Sequence, residues 1–158
     1  MTVAINTPAP VRKTVHVAVT PPKAFDVFTA GMHKWWMPEH SILKVPRQSV
    51  VVEPRPGGRW YETGVDGSEC DWGHVIAWEP PGRLVLTWQI DGSWQYNEQF
   101  VTELEVRFIA DGANGTRVEL EHRKLQAYGE GAEAMRTALD GNEGWGAELA
   151  SFVAATRD

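Results

Sequence analysis

Residues 102–123, TELEVRFIADGANGTRVELEHR, decide the fold class. Thr102, Leu104, Val106 and Phe108 alternate with Glu103, Glu105 and Arg107. After Asp111-Gly112-Ala113-Asn114-Gly115, the return strand sets Thr116, Val118, Leu120 and His122 against Arg117, Glu119, Glu121 and Arg123. Successive side chains of a strand point to opposite faces. One face of this hairpin is therefore charged and solvated, and the other is turned inward. That alternation belongs to an antiparallel sheet with one wet face, because parallel sheets covered on both sides read as unbroken apolar runs. Downstream the period changes. Met135, Leu139, Asn142, Trp145, Leu149, Phe152 and Val153 recur at steps of three and four, which is the spacing of one helix face. That face needs a partner, and the inner side of the sheet is the large one available. A sheet wrapped around a helix leaves a cavity unless the facing side chains fill it, so the pattern predicts a container.

Upstream, the same reading extends to the N-terminal half. Thr14 to Val19 alternates, and Thr20-Pro21 supplies a helix N-cap and a proline at the first helical position. A short helix carrying Ala24, Phe25, Val27 and Phe28 should end near Gly31. Met32, Trp35 and Trp36 suggest a second brief helical turn before Pro38, and Glu39 to Arg47 has no clear period. Strands follow at Gln48–Glu53, Arg59–Thr63, Glu69–Glu79 and Arg83–Ile90, separated by Pro/Gly and Asp-Gly turns. The expected class is α+β: a curved antiparallel sheet of six to seven strands around a long C-terminal helix, with two short helices after the first strand. Gly141, Gly144 and Gly146 each cost about 1 kcal/mol against Ala in a helix interior. Either that helix breaks near Asp140 and restarts, or small residues there let a strand or a ligand come close.

At 158 residues the chain suits one domain over residues 11–158, with residues 1–10 as a loose N-terminal tail. The single Cys70 cannot form an internal disulfide, and MTVAINTPAP lacks the basic start and apolar stretch of a signal peptide, so the cytoplasm is the expected compartment. No run of 18 apolar residues predicts a membrane span. A net charge of −6 disfavours nucleic acid as a partner. No cofactor or metal is expected: His33 and His40 are seven apart, Glu39 beside His40 is a common pair, and Cys70 has no neighbouring cysteine. Gly57-Gly58 and Gly141-Asn142-Glu143-Gly144 lack the phosphate-loop and dinucleotide spacings, and no Gly-x-Ser-x-Gly elbow is present.

The order strand, Thr20-Pro21-Pro22 helix, Trp35-Trp36, Pro56-Gly57-Gly58-Arg59-Trp60, Gly73-His74-Val75, Glu79 to Trp88, Gly115 to His122 and Gly144-Trp145 resembles bacterial proteins similar to the C-terminal domain of the activator of Hsp90 ATPase. These belong to the START-like (SRPBCC) superfamily. The resemblance covers about residues 11–156 and implies the helix-grip fold with an internal cavity, while function varies across the superfamily from lipid carriage to polyketide cyclisation. Fold alone does not settle function.

The eight tryptophans carry the functional reading. Trp36, Trp78 and Trp145 read first as core. Trp60, Trp72, Trp88 and Trp94, from successive strands, read as a pocket lining whose rings stack on a flat apolar ligand and whose indole N–H groups orient it. Phe100, Thr102, Leu104 and Leu149 join them as expected ligand contacts, together with Trp36 and Trp145. His122 closes an inward-facing set and would either orient a ligand carbonyl, transfer a proton, or be hydrogen-bonded in place. The first functional reading is a module that binds a small apolar or aromatic molecule between sheet and helix. A cyclase or aromatase in which His122, Tyr61 or Glu62 moves protons is the alternative. A protein-binding or chaperone-regulating module is the third. An Hsp90-type chaperone is not the expected partner, since the chain has room only for the START-like domain, and a homodimer is the expectation if tryptophans prove broadly exposed.

Overall fold

The computed structural model describes residues 8–157. Of the expected tail, residues 1–7 lie outside the described residues, and the carbonyls of Ala9 and Pro10 accept hydrogen bonds from Arg136 at 2.7 and 3.3 Å. The elements run β1 (Val11–Val17), α1 (Pro21–Phe28), α2 (Met32–Trp35), a 3₁₀ turn (Pro38–His40), β2 (Arg47–Val52), β3 (Arg59–Gly64), β4 (Glu69–Glu79), β5 (Arg83–Trp88), β6 (Thr102–Ala110), β7 (Thr116–Arg123), a 3₁₀ segment (Leu125–Gly131), α3 (Ala132–Asp140) and α4 (Trp145–Ala155). The seven strands form one antiparallel half-barrel in the order β1-β7-β6-β5-β4-β3-β2. This is the α+β architecture that the alternation and the change of period predict, and the helix-grip fold that the family resemblance implies.

Topology explains why α1 and α2 exist where they do. β1 pairs with β7, Val15 opposite Val118, while β2 lies at the far edge of the sheet. The intervening chain must cross the open side of the half-barrel, and it buries Ala24, Phe25, Phe28, Met32 and Trp35 as it does so. α1 begins at Pro21 as expected, although Thr20 makes no side-chain capping bond.

Two irregularities curve the sheet. Trp60 pairs with Gly73 and Tyr61 with Asp71, so Trp72 is the extra residue of a bulge in β4. A second shift lies between Val75 and Ala77 and leaves Ile76 exposed. Bulges bend a strand and re-aim its side chains. Here the first turns Trp72 into the core and brings Gly73 so near β5 that a Cβ would run into the Thr87 carbonyl.

The C-terminal helix is two helices. α3 ends at Asp140 and α4 starts at Trp145, as the glycine reading anticipates. Gly144 makes the junction close-fitting, because a Cβ there would meet the carbonyl oxygens of Ala138 and Leu139. α4 buries Trp145, Glu148, Leu149 and Phe152. Each of its apolar members contributes about 1.5–3 kcal/mol by leaving water.

Aromatic rings fill the interior. Phe25, Phe28, Trp35, Phe108 and Phe152 pack at one end with centroids 4.9–5.6 Å apart. Trp36, Trp60, Trp72, Trp88 and Trp145 pack at the other, with Trp36 4.9 Å from Trp72 and 5.7 Å from Trp145, and Trp60 5.5 Å from both Trp72 and Trp88. Tilted and edge-on pairs at these spacings add about 0.5–1.5 kcal/mol beyond area burial. Among the described residues no helix is long and apolar enough to cross a membrane.

Candidate functional site

The space expected between sheet and α4 is occupied by tryptophan rings, and the opening lies at one end of them. There the segment from Trp36 to Ile42, the β5–β6 connection and the α3–α4 junction enclose a solvent-open cleft of about 630 Å³. Trp36, Trp88, Trp94 and Trp145 form its aromatic walls, with Ile42 and Leu139. His40, Ser41, Asn142, Glu143 and Glu148 supply polar groups.

The expected ligand contacts therefore divide. Trp36, Trp88, Trp94 and Trp145 meet at the cleft. Trp60 and Trp72 are fully buried behind them, because the β4 bulge turns the Trp72 ring inward, edge-on to Trp60. Leu104 and Leu149 are core, and Thr102 and His122 are buried beneath Trp88 and Trp145. Phe100 packs on Tyr128, centroids 4.6 Å apart, away from the cleft wall. Trp94 is the exposed member, with half its surface open, and it holds a left-handed backbone with φ of 58°. That conformation costs a non-glycine residue of order 1–3 kcal/mol, so the connection around it, in which Trp94 N donates to the Asp91 carbonyl, holds the backbone there.

The expectation that indole N–H groups orient a ligand needs correcting for Trp60, Trp72 and Trp88. Trp60 donates to Met32 Sδ at 3.2 Å, Trp72 to Glu62 Oε2 at 2.7 Å, Trp88 to the Tyr128 hydroxyl at 3.2 Å and Trp145 to His122 Nδ1 at 3.1 Å. These donors are already used. Trp36 Nε1 is buried without a hydrogen-bond partner among the described residues.

His122 is likewise committed. The Thr102 hydroxyl donates its one hydrogen to the Trp88 carbonyl at 2.8 Å, so its oxygen accepts from His122 Nε2–H, also at 2.8 Å. Nδ1 is then the acceptor for Trp145. Both ring nitrogens are satisfied in the neutral imidazole, and burial pushes His122 down to about 3. It has no ionisable partner and does not line the cleft; it fixes the Trp145 ring. Tyr61 lies under the Arg59 guanidinium at 3.9 Å, and Glu62 is fully buried, accepting from Trp72, Ile42 N at 2.7 Å and Leu43 N at 3.3 Å. None of the three residues expected to move protons reaches the opening.

Sequence reasoning missed the ionisable pair that does. Glu148 sits on the buried face of α4 between Trp145 and Leu149, and its Oε1 is hydrogen-bonded to His40 Nδ1. Met37 N also donates to Oε1, at 3.1 Å. Burial raises Glu148 to about 7, against the pull of His40, the Met37 amide and the Arg47 charge. Arg47 in turn donates to the carbonyls of Trp36 at 2.6 Å and Met37 at 3.3 Å and to Ser41 Oγ at 3.1 Å. Glu62, Arg47 and Glu148 thus fasten the aperiodic segment 36–43 as one wall of the cleft. The available signal was a carboxylate placed three residues after Trp145 and one before Leu149, on a face otherwise apolar.

Comparison with known proteins agrees with this architecture. The model of the "Activator of Hsp90 ATPase homolog 1-like protein" family matches residues 18–157. The chain is 43% identical to the anthrahydroquino-γ-pyrone synthase Txn09, covering 94% of this chain and 97% of that one, with a TM-score of 0.66. It is 31% identical to CalC, a self-sacrificing resistance protein from Micromonospora echinospora, over 94% of each chain, with a TM-score of 0.71. An HSP90 activator from Plasmodium falciparum, PFC0360w, shares the fold at 20% identity over 73% of each chain, with a TM-score of 0.53. No curated protein matches. The chain therefore belongs to the activator of Hsp90 ATPase homolog 1-like family, within the START-like superfamily.

Proposed function

We propose that this protein binds a planar, oxygen-bearing aromatic molecule in the cleft beside Trp36, Trp88, Trp94 and Trp145. The observation that carries this reading is the convergence of four indoles on one opening of about 630 Å³. That volume suits a ligand of two to four fused rings, since small-molecule sites run to roughly 300–1,000 Å³. Stacking on indole faces favours flat ligands over flexible aliphatic ones. The polar edge supplied by His40, Ser41, Asn142 and Glu148 favours ligand oxygens that hydrogen-bond. The likeness to Txn09, a synthase of anthrahydroquino-γ-pyrones, and to the resistance protein CalC supports a small molecule as the partner. An Hsp90-type chaperone does not enter this reading, because the similar HSP90 activator shares the fold alone.

Titration with 1,8-dihydroxyanthraquinone tests it. Saturable quenching of tryptophan fluorescence is expected. Trp94→Ala should weaken binding about fivefold, the equivalent of roughly 1 kcal/mol of stacking. Palmitate should not compete. Linear, non-saturating quenching would remove the proposal.

A second reading is favoured by one observation, the ionisable pair on the cleft wall: the same site closes an oxygen-containing ring on its ligand, a reading in keeping with the likeness to Txn09, an anthrahydroquino-γ-pyrone synthase.

A further inference from the structure

We infer that Glu148 and His40 are the proton-transfer pair of a dehydrative ring closure, acting on an aryl 1,3-diketone that carries a hydroxyl ortho to its acyl chain. The inference rests on the ring-closing reading above and assigns its residues, substrate class and steps. Such a closure needs no oxidant or reductant. It needs one group to take a proton while another gives one, twice in succession.

The geometry supplies those two groups. Glu148 and His40 come from elements 108 residues apart and are joined through Oε1 and Nδ1. The other carboxylate oxygen, Oε2, has one long contact, 3.4 Å from Met37 N. His40 Nε2 has no hydrogen-bond partner among the described residues, and the His40 side chain is about one-third exposed. Both residues line the cleft. The pair therefore sets beside the cleft one ring nitrogen without a partner, His40 Nε2, and one weakly held carboxylate oxygen, Glu148 Oε2, on a side chain only 3% exposed, with the two residues joined through the Oε1–Nδ1 hydrogen bond. Trp36, Trp88 and Trp145 line the cleft beside it while 3–5% exposed, and Trp94, half exposed, offers the open ring on which an aryl ketone would stack. The charged groups around the pair are Arg47 from β2, Glu39 from the 3₁₀ turn and Glu143 from the α3–α4 junction, with Glu62 beyond Arg47.

The chemistry balances without a further reactant. In the first step the Glu148 carboxylate takes the aryl hydroxyl proton through Oε2 as that oxygen attacks the remote ketone carbon. The new C–O bond forms, the carbonyl π pair moves to its oxygen, and His40 Nε2–H protonates it. The hemiketal now stands beside neutral Glu148 and neutral His40. In the second step Glu148 gives its proton to the hemiketal hydroxyl, which leaves as water, while His40 Nε2 takes a proton from the carbon between the two carbonyl positions. The electrons of that C–H bond become the ring double bond. One water is lost, and the pair returns to its starting protonation. General acid–base catalysis of this kind contributes about 10²–10⁴-fold.

The test uses 1-(2-hydroxyphenyl)butane-1,3-dione, whose closure to 2-methylchromone is followed by absorbance, alongside 1,8-dihydroxyanthraquinone binding. Wild type is expected to accelerate closure at least tenfold over buffer, with an inflection in the rate near pH 7. Glu148→Gln, which keeps the size of the side chain, should lose this acceleration and the inflection. Its dye affinity should change less than about fivefold, the value of one hydrogen bond. His40→Gln leaves α4 unaltered and should lose the acceleration too, so that a folding defect in the first variant does not decide the matter. Wild-type rates in either folded variant, or dye binding without any acceleration by wild type, overturn the inference while leaving the binding site standing. Failure of wild type in both assays removes the binding reading and the inference together.

Discussion

Replacing His122 by Gln should change the acid stability of this protein without abolishing its fold. Gln can donate through Nε2 to the Thr102 oxygen and accept through Oε1 from the Trp145 indole, which are the two roles of the neutral imidazole. It cannot take up a proton. In the wild type, burial holds His122 at about 3 against 6.5 when exposed. Between those values the unfolded chain binds a proton that the folded chain refuses, so folding stability falls as pH drops below 6.5. Each pH unit is worth about 1.4 kcal/mol. From pH 6.5 to pH 4 the accumulated loss from this one residue is about 3 kcal/mol, a large part of the 5–15 kcal/mol that holds an ordinary domain together. Urea unfolding of both proteins at pH 6.5, 5 and 4 measures it. Wild type should lose about 3 kcal/mol more than His122→Gln over that range. A stability difference that does not vary with pH would mean that His122 is not held neutral between Thr102 and Trp145, and the account of how the Trp145 wall is fixed would fail.

Two further outcomes follow from the same buried groups. Glu148 has the opposite slope: burial raises it to about 7, so the folded state binds a proton more tightly than the unfolded chain, and stability declines as pH rises from about 4.5 to 7. The stability of Glu148→Gln relative to wild type should therefore improve over that window, by up to about 3 kcal/mol in chemical denaturation, and a flat difference would contradict it. Trp72→Leu removes a fully buried ring and leaves the Glu62 carboxylate without its indole donor, so a loss of about 3–5 kcal/mol is expected by calorimetry.

The parts of the fold that were legible in the sequence are those in which one side chain per step reports one face. β6 and β7 begin at Thr102 and Thr116, where the alternation begins, and the α3–α4 break falls on the glycines that disfavour a helix. The site was less legible for three physical reasons. A single extra residue at Trp72 redirects β4, so face counting along that strand could not say which rings turn inward or that they would pack edge-on and tilted against one another. Residues 39–47 show no period because much of their position is set by Glu62, Arg47 and Glu148 rather than by a ladder of their own. The pairing of His40 with Glu148 spans 108 residues and has no local signature. His122 was correctly placed as inward-facing, yet its role depends on Thr102 and Trp145, whose hydrogen bonds a strand pattern does not specify.

The most direct measurement of the central claim is the ¹⁵N–¹H spectrum of the tryptophan side chains during titration with 1,8-dihydroxyanthraquinone, with each indole assigned by substitution. Trp36, Trp88, Trp94 and Trp145 line the opening, whereas Trp35 and Trp78 lie at the far end against Phe28 and Phe25. Saturable shifts at the first four, with Trp35 and Trp78 unmoved, are the predicted result. Shifts confined to Trp78, or no saturable shift at Trp94 and Trp145, would contradict an aromatic-binding cleft at this end of the fold.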